Sequence, residues 1–240
     1  MKKSVALFFL LPFFFASCDT NKTEPISFYQ VPLVCDAAPE IGCGSRIKPL
    51  FIETEKEKEI KESWTNRQGT MIAIVWKEEE NEKLIQSLFA KNNIDAKLIF
   101  DAVEVKNISA DFHMKGKWLK GMEVDSLSLQ EAGVIADSAT IFAKNAELIN
   151  EQEASLIKTE IEEFMKKELV QVRTFKQLIS VETDMRWKQK GYEIYVKHIG
   201  IDRAEKVRDF FMDYKKKQVQ RESFCEKDKK TSELKSTITC

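Results

Sequence analysis

The sequence lacks most of the features that mark an enzyme or a nucleic-acid-binding protein. It has 38 Lys and Arg residues against 39 Asp and Glu residues, so no surplus of positive charge is available for phosphate contacts. It contains no glycine-rich phosphate loop, and none of its serines lies in a Gly-x-Ser-x-Gly turn. Its two histidines, His113 and His198, are far apart and match no zinc-site spacing, so we expect surface or structural roles for both. We therefore expect no nucleic-acid partner and no enzymatic activity.

Long apolar runs are also scarce, and the run at the N-terminus is too short to cross a membrane. Lys2 and Lys3 precede an apolar stretch over residues 5–15, and the small residues Ala16 and Ser17 then lead to Cys18. This order of positive charge, apolar core and small residues predicts a secretory signal peptide over residues 1–17. No later stretch of about 18 apolar residues follows it, so we expect no other membrane span.

The end of this leader, Phe-Ala-Ser-Cys over residues 15–18, resembles the lipobox of bacterial lipoproteins, with Phe15 in place of the more usual leucine. The resemblance implies cleavage before Cys18 and acyl chains such as palmitate on that cysteine. Each buried CH₂ contributes about 0.8 kcal/mol, so several chains would hold the protein at a membrane. We expect a bacterial cell-envelope protein, lipid-anchored on the periplasmic side or at the cell surface. The alternative is an ordinary signal peptide with a chance cysteine at its end.

Four further cysteines form two pairs that are local in sequence. Cys35 is near Cys43, and Cys225 is near Cys240. In an exported protein an even number of cysteines predicts disulfides, although three pairings are possible. The alternatives are free thiols used in metal or redox chemistry.

The first half of the mature chain alternates strand and helix patterns. A polar tether over 18–25 is followed by a strand over 26–35, which Pro32 marks as an edge or a bulge, and by a loop over 36–44. Helical spacing of apolar residues then predicts a helix over 45–58 and a second over 79–92. Strands are predicted over 60–66, 70–76 and 96–105. The order is that of the ferredoxin-like βαββαβ arrangement, and we expect an α+β domain over 26–105.

The second half has helical periodicity, which predicts a small helical domain over 106–220 and a charged tail over 221–240. We expect a helix over 175–199, broken near Gly191. Three helix starts are predicted where a polar cap is followed by an acid three residues later: Ser128 with Glu131, Asn150 with Glu153, and Asp202 with Glu205.

Residues 31–105 resemble the heavy-metal-associated domain of mercury-binding proteins and copper chaperones. The segment 59–76, EIKESWTNRQGTMIAIVW, is similar to that family's central hairpin, and residues 81–93 and 95–99 fall where the family has its second helix and last strand. The family binds a soft metal through a Cys-x-x-Cys pair at the start of the first helix. Here Cys43 lies in that loop, but Arg46 takes the place of the second cysteine, and an arginine repels a soft cation. The nearby replacement is Cys35.

Cys43 precedes a predicted helix N-terminus with Arg46 one turn away, and both features favour a thiolate, with Arg46 as the tuning charge. The Cys35–Cys43 pair is then a structural disulfide, a soft-metal clip or a labile redox couple. The leading hypothesis is a non-enzymatic binding or accessory protein of the envelope, with a protein partner there. The alternatives are soft-metal binding through Cys43 and Cys35, with mercury or copper as cofactor, and a thiol-disulfide oxidoreductase.

Overall fold

A computed structural model describes residues 24–35, 38–114 and 116–213. The predicted signal peptide, Cys18, the tail over 221–240 and its cysteines, Cys225 and Cys240, lie outside these ranges. The α+β class predicted from the sequence is confirmed. Within the described ranges, no helix is both long enough and apolar enough to cross a membrane.

Seven short strands form one antiparallel sheet and one separate hairpin. The strands are β1 (Ile26–Gln30), β2 (Val34–Cys35), β3 (Ala38–Gly42), β4 (Ile60–Asn66), β5 (Met71–Trp76), β6 (Lys97–Leu98) and β7 (Trp118–Lys120). The sheet has the order β6-β1-β5-β4-β7, and β2 pairs with β3. Every neighbouring pair in the sheet is antiparallel, with Phe28 opposite Ala73 between β1 and β5.

Helices cover both faces of this sheet. They are α1 (Gly44–Thr54), α2 (Glu82–Lys91), α3 (Ala102–Phe112), α4 (Asp125–Asn145), α5 (Glu151–Gln171), α6 (Phe175–Leu178), α7 (Val181–Ile199) and α8 (201–213). Side chains alternate along β5, so Ile72, Ile74 and Trp76 pack with α1 and α2. Ala73 points to the opposite face, where α3 covers the sheet.

The second half of the chain is built around α4 and α5. A capping box starts α5, because the Asn150 side chain accepts from the Glu153 N–H while the Glu153 carboxylate accepts from the Asn150 N–H, as predicted. The apolar cluster of this half includes residues from α4, α5, α7 and α8. The cluster of the first half ends at Leu127, and that of the second begins at Ala132, so the two meet along α4. The predicted division into domains over 26–105 and 106–220 stays a prediction.

The structure corrects three expectations in the first half. Residues 36–44 were expected to be a loop, but residues 38–42 form β3, which pairs with β2 after a break in the strand over 31–33. The strand expected over 96–105 ends after Leu98. It ends there because the Asp101 side chain accepts hydrogen bonds from the backbone N–H groups of Val103 and Glu104, which starts α3 instead. Strand β7, at the β4 edge, was not expected.

Two helix boundaries in the second half also differ from expectation. Ser128 does not cap a helix: a 3₁₀ turn over Gly121–Val124 leads directly into α4 at Asp125, and Ser128 lies buried inside that helix. Gly191 does not break α7, since a glycine lowers helix stability but keeps its backbone hydrogen bonds. The break lies before Val181, where the Ser180 side chain accepts from the Thr183 N–H.

Candidate functional site

The candidate site lies where the N-terminus of α1 meets α4. Cys43 directly precedes α1, and its backbone N–H donates to the carbonyl of Leu33 at 2.7 Å. The two helices approach so closely that a Cβ on Gly44 would lie 2.5 Å from the backbone nitrogen of Ser128. Only glycine fits this contact. The close approach brings the first turn of α1 against side chains of α4.

Three buried polar side chains meet at this contact. Cys43 Sγ lies 3.3 Å from Ser45 Oγ and 3.3 Å from Glu131 Oε1. Ser45 Oγ also lies 3.3 Å from Glu131 Oε2. All three residues are buried, and 88 residues of sequence separate Cys43 from Glu131. The thiol and the hydroxyl therefore donate to a carboxylate that the fold has removed from water.

Burial sets the protonation of this cluster. The pKa of Cys43 is raised to about 12, chiefly by desolvation and then by the charge of Glu131, while hydrogen bonds from Ser45 and from the Arg46 backbone act in the opposite direction. Desolvation also raises the pKa of Glu131, against hydrogen bonds from Cys43 and Ser45 and the charge of Lys48. These surroundings favour a neutral thiol at Cys43, so the expectation of a thiolate from the sequence is wrong.

Arg46 does not act as expected because its guanidinium points elsewhere. Its Nη2 donates to the carbonyl of Asn93 at 2.9 Å, and its Cζ lies 5.6 Å from the centroid of the Phe175 ring. Among the main influences on the pKa of Cys43, Arg46 acts through its backbone N–H, which lowers that pKa. The guanidinium thus joins α1 to the end of α2 and to α6.

Cys35 lies in the same small apolar cluster as Cys43, with Ile41 and Val134 packed against them. No disulfide joins the two cysteines. Across the described residues, no group of three or more His, Cys, Asp or Glu side chains is placed to hold a metal ion. The fold thus brings together the two cysteines singled out in the sequence and adds a carboxylate to one of them.

A buried lysine, Lys48, extends the cluster along α1, and the sequence analysis missed it. Its side chain is 0% exposed and pairs with the carboxylate of Asp125. Its Nζ also donates to the backbone carbonyls of Val170 at 2.8 Å and Leu169 at 3.3 Å, at the end of α5. Desolvation lowers the pKa of Lys48, and the hydrogen bond and charge of Asp125 oppose that effect. One side chain on α1 thus contacts both α4 and α5.

A signal for Lys48 was present but ambiguous. Lys48 lies between Ile47 and Leu50 in a segment where nearly every residue of the first two turns is buried. A helix buried all round has no solvated face for a lysine, so such a residue needs a partner. The sequence does not show that Asp125 supplies it.

The two histidines lie apart from this cluster. His198 Nε2 is 3.0 Å from a carboxylate oxygen of Glu160, which ties α7 to α5. His113 is exposed at the end of α3, beside an open cavity of about 240 Å³ that Trp64, Phe112 and Trp118 also line. Within the described ranges, neither histidine forms a hydrogen bond with Cys43 or Glu131.

No protein-family model matches the chain, and neither the curated proteins nor the solved structures contain a match to it. The chemistry of the cluster must therefore be judged from its geometry. A protonated thiol, a carboxylate and a paired lysine, all buried between three helices, are suited to joining those helices. They present no nucleophile to a dissolved substrate.

Proposed function

We propose that the protein is a lipid-anchored bacterial envelope protein that acts as a non-enzymatic binding or accessory protein. The observation that carries the proposal is the leader, in which Lys2 and Lys3, the apolar run over 5–15 and Ala16-Ser17 lead to Cys18. Acyl chains on Cys18 would hold the rest of the chain, in which β1 begins at Ile26, close to the membrane. The closed cluster around Cys43 supports a role without catalysis, because its polar groups bind one another.

The anchor is tested by replacing Cys18 with alanine in the bacterial host, in the presence of labelled palmitate. We expect Cys18→Ala to lose the label and to yield an uncleaved precursor or a soluble form. Cys240→Ala is the matched control, since it removes another cysteine and should keep both label and membrane fractionation. A labelled, membrane-bound Cys18→Ala protein processed at the same site would refute the proposal.

We also infer that β1, α1, β4, β5, α2 and β6 form a ferredoxin-like βαββαβ unit. What supports this is the order β6-β1-β5-β4 of antiparallel strands, with α1 and α2 packed in one cluster on the same side of the sheet. The β2–β3 hairpin before α1, and β7 at the sheet edge, would be additions to that unit.

Soft-metal binding at Cys43 and Cys35 is the second candidate, since the two cysteines pack in one small apolar cluster. Its test is titration of the full chain with Hg(II), followed by ultraviolet thiolate-to-metal absorption. Cys35→Ser is compared with Cys225→Ser, which alters a cysteine outside the pair. Loss of the absorption in Cys35→Ser alone would support metal binding. Fully oxidised, inert cysteines would support a structural disulfide, and a readily reversible couple would support the third candidate, a thiol oxidoreductase.

A further inference from the structure

Three apolar side chains from the end of β6 to the first turn of α3 are exposed to solvent. Phe100 is 87% exposed and Val103 is 69% exposed, and Leu98 is also exposed. Leu98 lies opposite Tyr29 and therefore on the face of the sheet that α1 and α2 cover, whereas α3 covers the other face. Phe100 and Val103, three positions apart at the start of α3, are here called the β6–α3 surface. A phenylalanine exposed to this degree costs solvation free energy unless something covers it.

The β6–α3 surface lies at the end of the sheet where the chain enters it from the tether. Strand β6 pairs antiparallel with β1, and the Ile99 N–H donates to the Phe28 carbonyl at 2.9 Å. The chain beyond Ile99 therefore runs back toward the start of β1, and Ile26 packs in the same apolar cluster as Ile99. Phe100 and the first turn of α3 thus lie beside Ile26.

Tether length limits how far this end can lie from the anchor. Ile26 follows Cys18 by eight positions, and a fully extended chain of that length spans at most about 29 Å. The β6–α3 surface therefore stays within about one bilayer thickness of the acylated residue. An apolar surface held at that distance meets lipid at a high local concentration.

We propose that the β6–α3 surface rests on the lipid bilayer, with Phe100 and Val103 inserted at the boundary between headgroups and acyl chains; the inference rests on the proposed anchor at Cys18. The exposed charged residues around Phe100 and Val103 are Asp101, Glu104 and Lys106, which together leave one net negative charge. The acidic run over 78–80 follows β5 at the same end of the sheet and would repel anionic lipid. The partner is therefore a zwitterionic headgroup surface.

The test uses the full lipidated chain in phosphatidylcholine vesicles, with tryptophan as the reporter. Phe100→Trp places an indole at the proposed contact, and brominated phospholipid quenches the fluorescence of a tryptophan that reaches the acyl chains. Met185→Trp is the matched control, because Met185 is 63% exposed on α7, which packs on α5. Quenching is measured as the change relative to the wild-type protein, whose four tryptophans give the background.

We expect at least twofold more added quenching in Phe100→Trp than in Met185→Trp, and a decrease when anionic lipid is mixed into the vesicles. Equal quenching in the two variants, with both proteins in the vesicle fraction, would overturn the inference and leave the anchor intact. A wild-type chain that does not enter the vesicle fraction would refute the anchor itself, and the inference with it.

Discussion

The buried pair of Lys48 and Asp125 provides a direct test of how the two halves of the chain are joined. The change is Asp125→Asn, which keeps the shape of the side chain and removes its charge. Lys48 is 0% exposed, whereas the Asp125 side chain is 20% exposed. The substitution therefore leaves an ammonium group that water does not reach, with no countercharge and with only neutral acceptors, which are the carbonyls of Leu169 and Val170 and the amide oxygen of the new side chain.

Breaking a buried ion pair by removing one partner costs about 3–5 kcal/mol, and we expect about 3 kcal/mol because neutral hydrogen-bond acceptors remain around the ammonium group. For a chain of this size each kcal/mol lowers the melting temperature by about 2–4 °C, so we expect a decrease of about 6–12 °C. Lys48→Met should lower the free energy of unfolding less than Asp125→Asn does. The Asp125 carboxylate that Lys48→Met leaves unpaired is partly exposed and can be hydrated. The double variant should cost less than the sum of the two single ones.

The assay is urea and thermal unfolding followed by circular dichroism. The matched control is Lys144→Met, which breaks the exposed pair of Lys144 with Glu151 on α4 and α5 and should cost less than about 1 kcal/mol. The reasoning is refuted if Asp125→Asn is no more destabilising than Lys144→Met. It is also refuted if Lys48→Met and Asp125→Asn are strictly additive, because additive effects would show that the two side chains do not interact.

Three further predictions concern the contact between α1 and α4. The folded chain raises the pKa of Glu131 above its unfolded value of 4.5, so it favours the protonated form of this side chain. The stability that this preference contributes is fully present below pH 4.5 and is lost as the pH rises through the folded pKa. Glu131→Gln should therefore gain stability relative to the wild-type protein between pH 4.5 and pH 8 in urea unfolding, and an unchanged difference across that range would contradict the argument. A Cys43 pKa raised from 9.0 to about 12 implies about a thousandfold less thiolate, so iodoacetamide at pH 8.5 should modify Cys43 far more slowly in the folded than in the urea-unfolded chain, as measured by peptide mass spectrometry. Gly44→Ala should lower the free energy of unfolding by about 1–3 kcal/mol or more, because the added Cβ would meet the backbone of Ser128. Gly191→Ala is the control, because nothing lies within 4 Å of a Cβ added there, and it should raise the free energy of unfolding by about 0.5–1 kcal/mol. Equal unfolding midpoints for the two variants would refute the close approach of α1 and α4.

Local signals in the sequence were sufficient for several elements. Strand β4 has the bounds predicted for it from the sequence, and the Asn150–Glu153 box starts α5 where it was expected. In both cases the determining interactions lie within a few residues of sequence. Periodicity and capping are therefore reliable where no distant residue competes with them.

Distant contacts explain the features that could not be predicted. The pattern of Ser128 and Glu131 is that of a capping box, but Glu131 instead accepts hydrogen bonds from Cys43 and Ser45, more than 80 residues away. The partner of Lys48 on α4 is equally remote in sequence. The thiolate expected at Cys43 followed from a helix N-terminus beside a cation, and burial outweighs both effects.

The central claim is that Cys18 is the acylated N-terminus of the mature protein. The most direct test is mass spectrometry of the protein from the membrane fraction of its bacterial host, with sequencing of the N-terminal peptide. We predict a chain that begins at Cys18 and carries the added mass of acyl chains on that residue. A mature chain that begins at any other residue, or an unmodified Cys18 at its N-terminus, would contradict the claim.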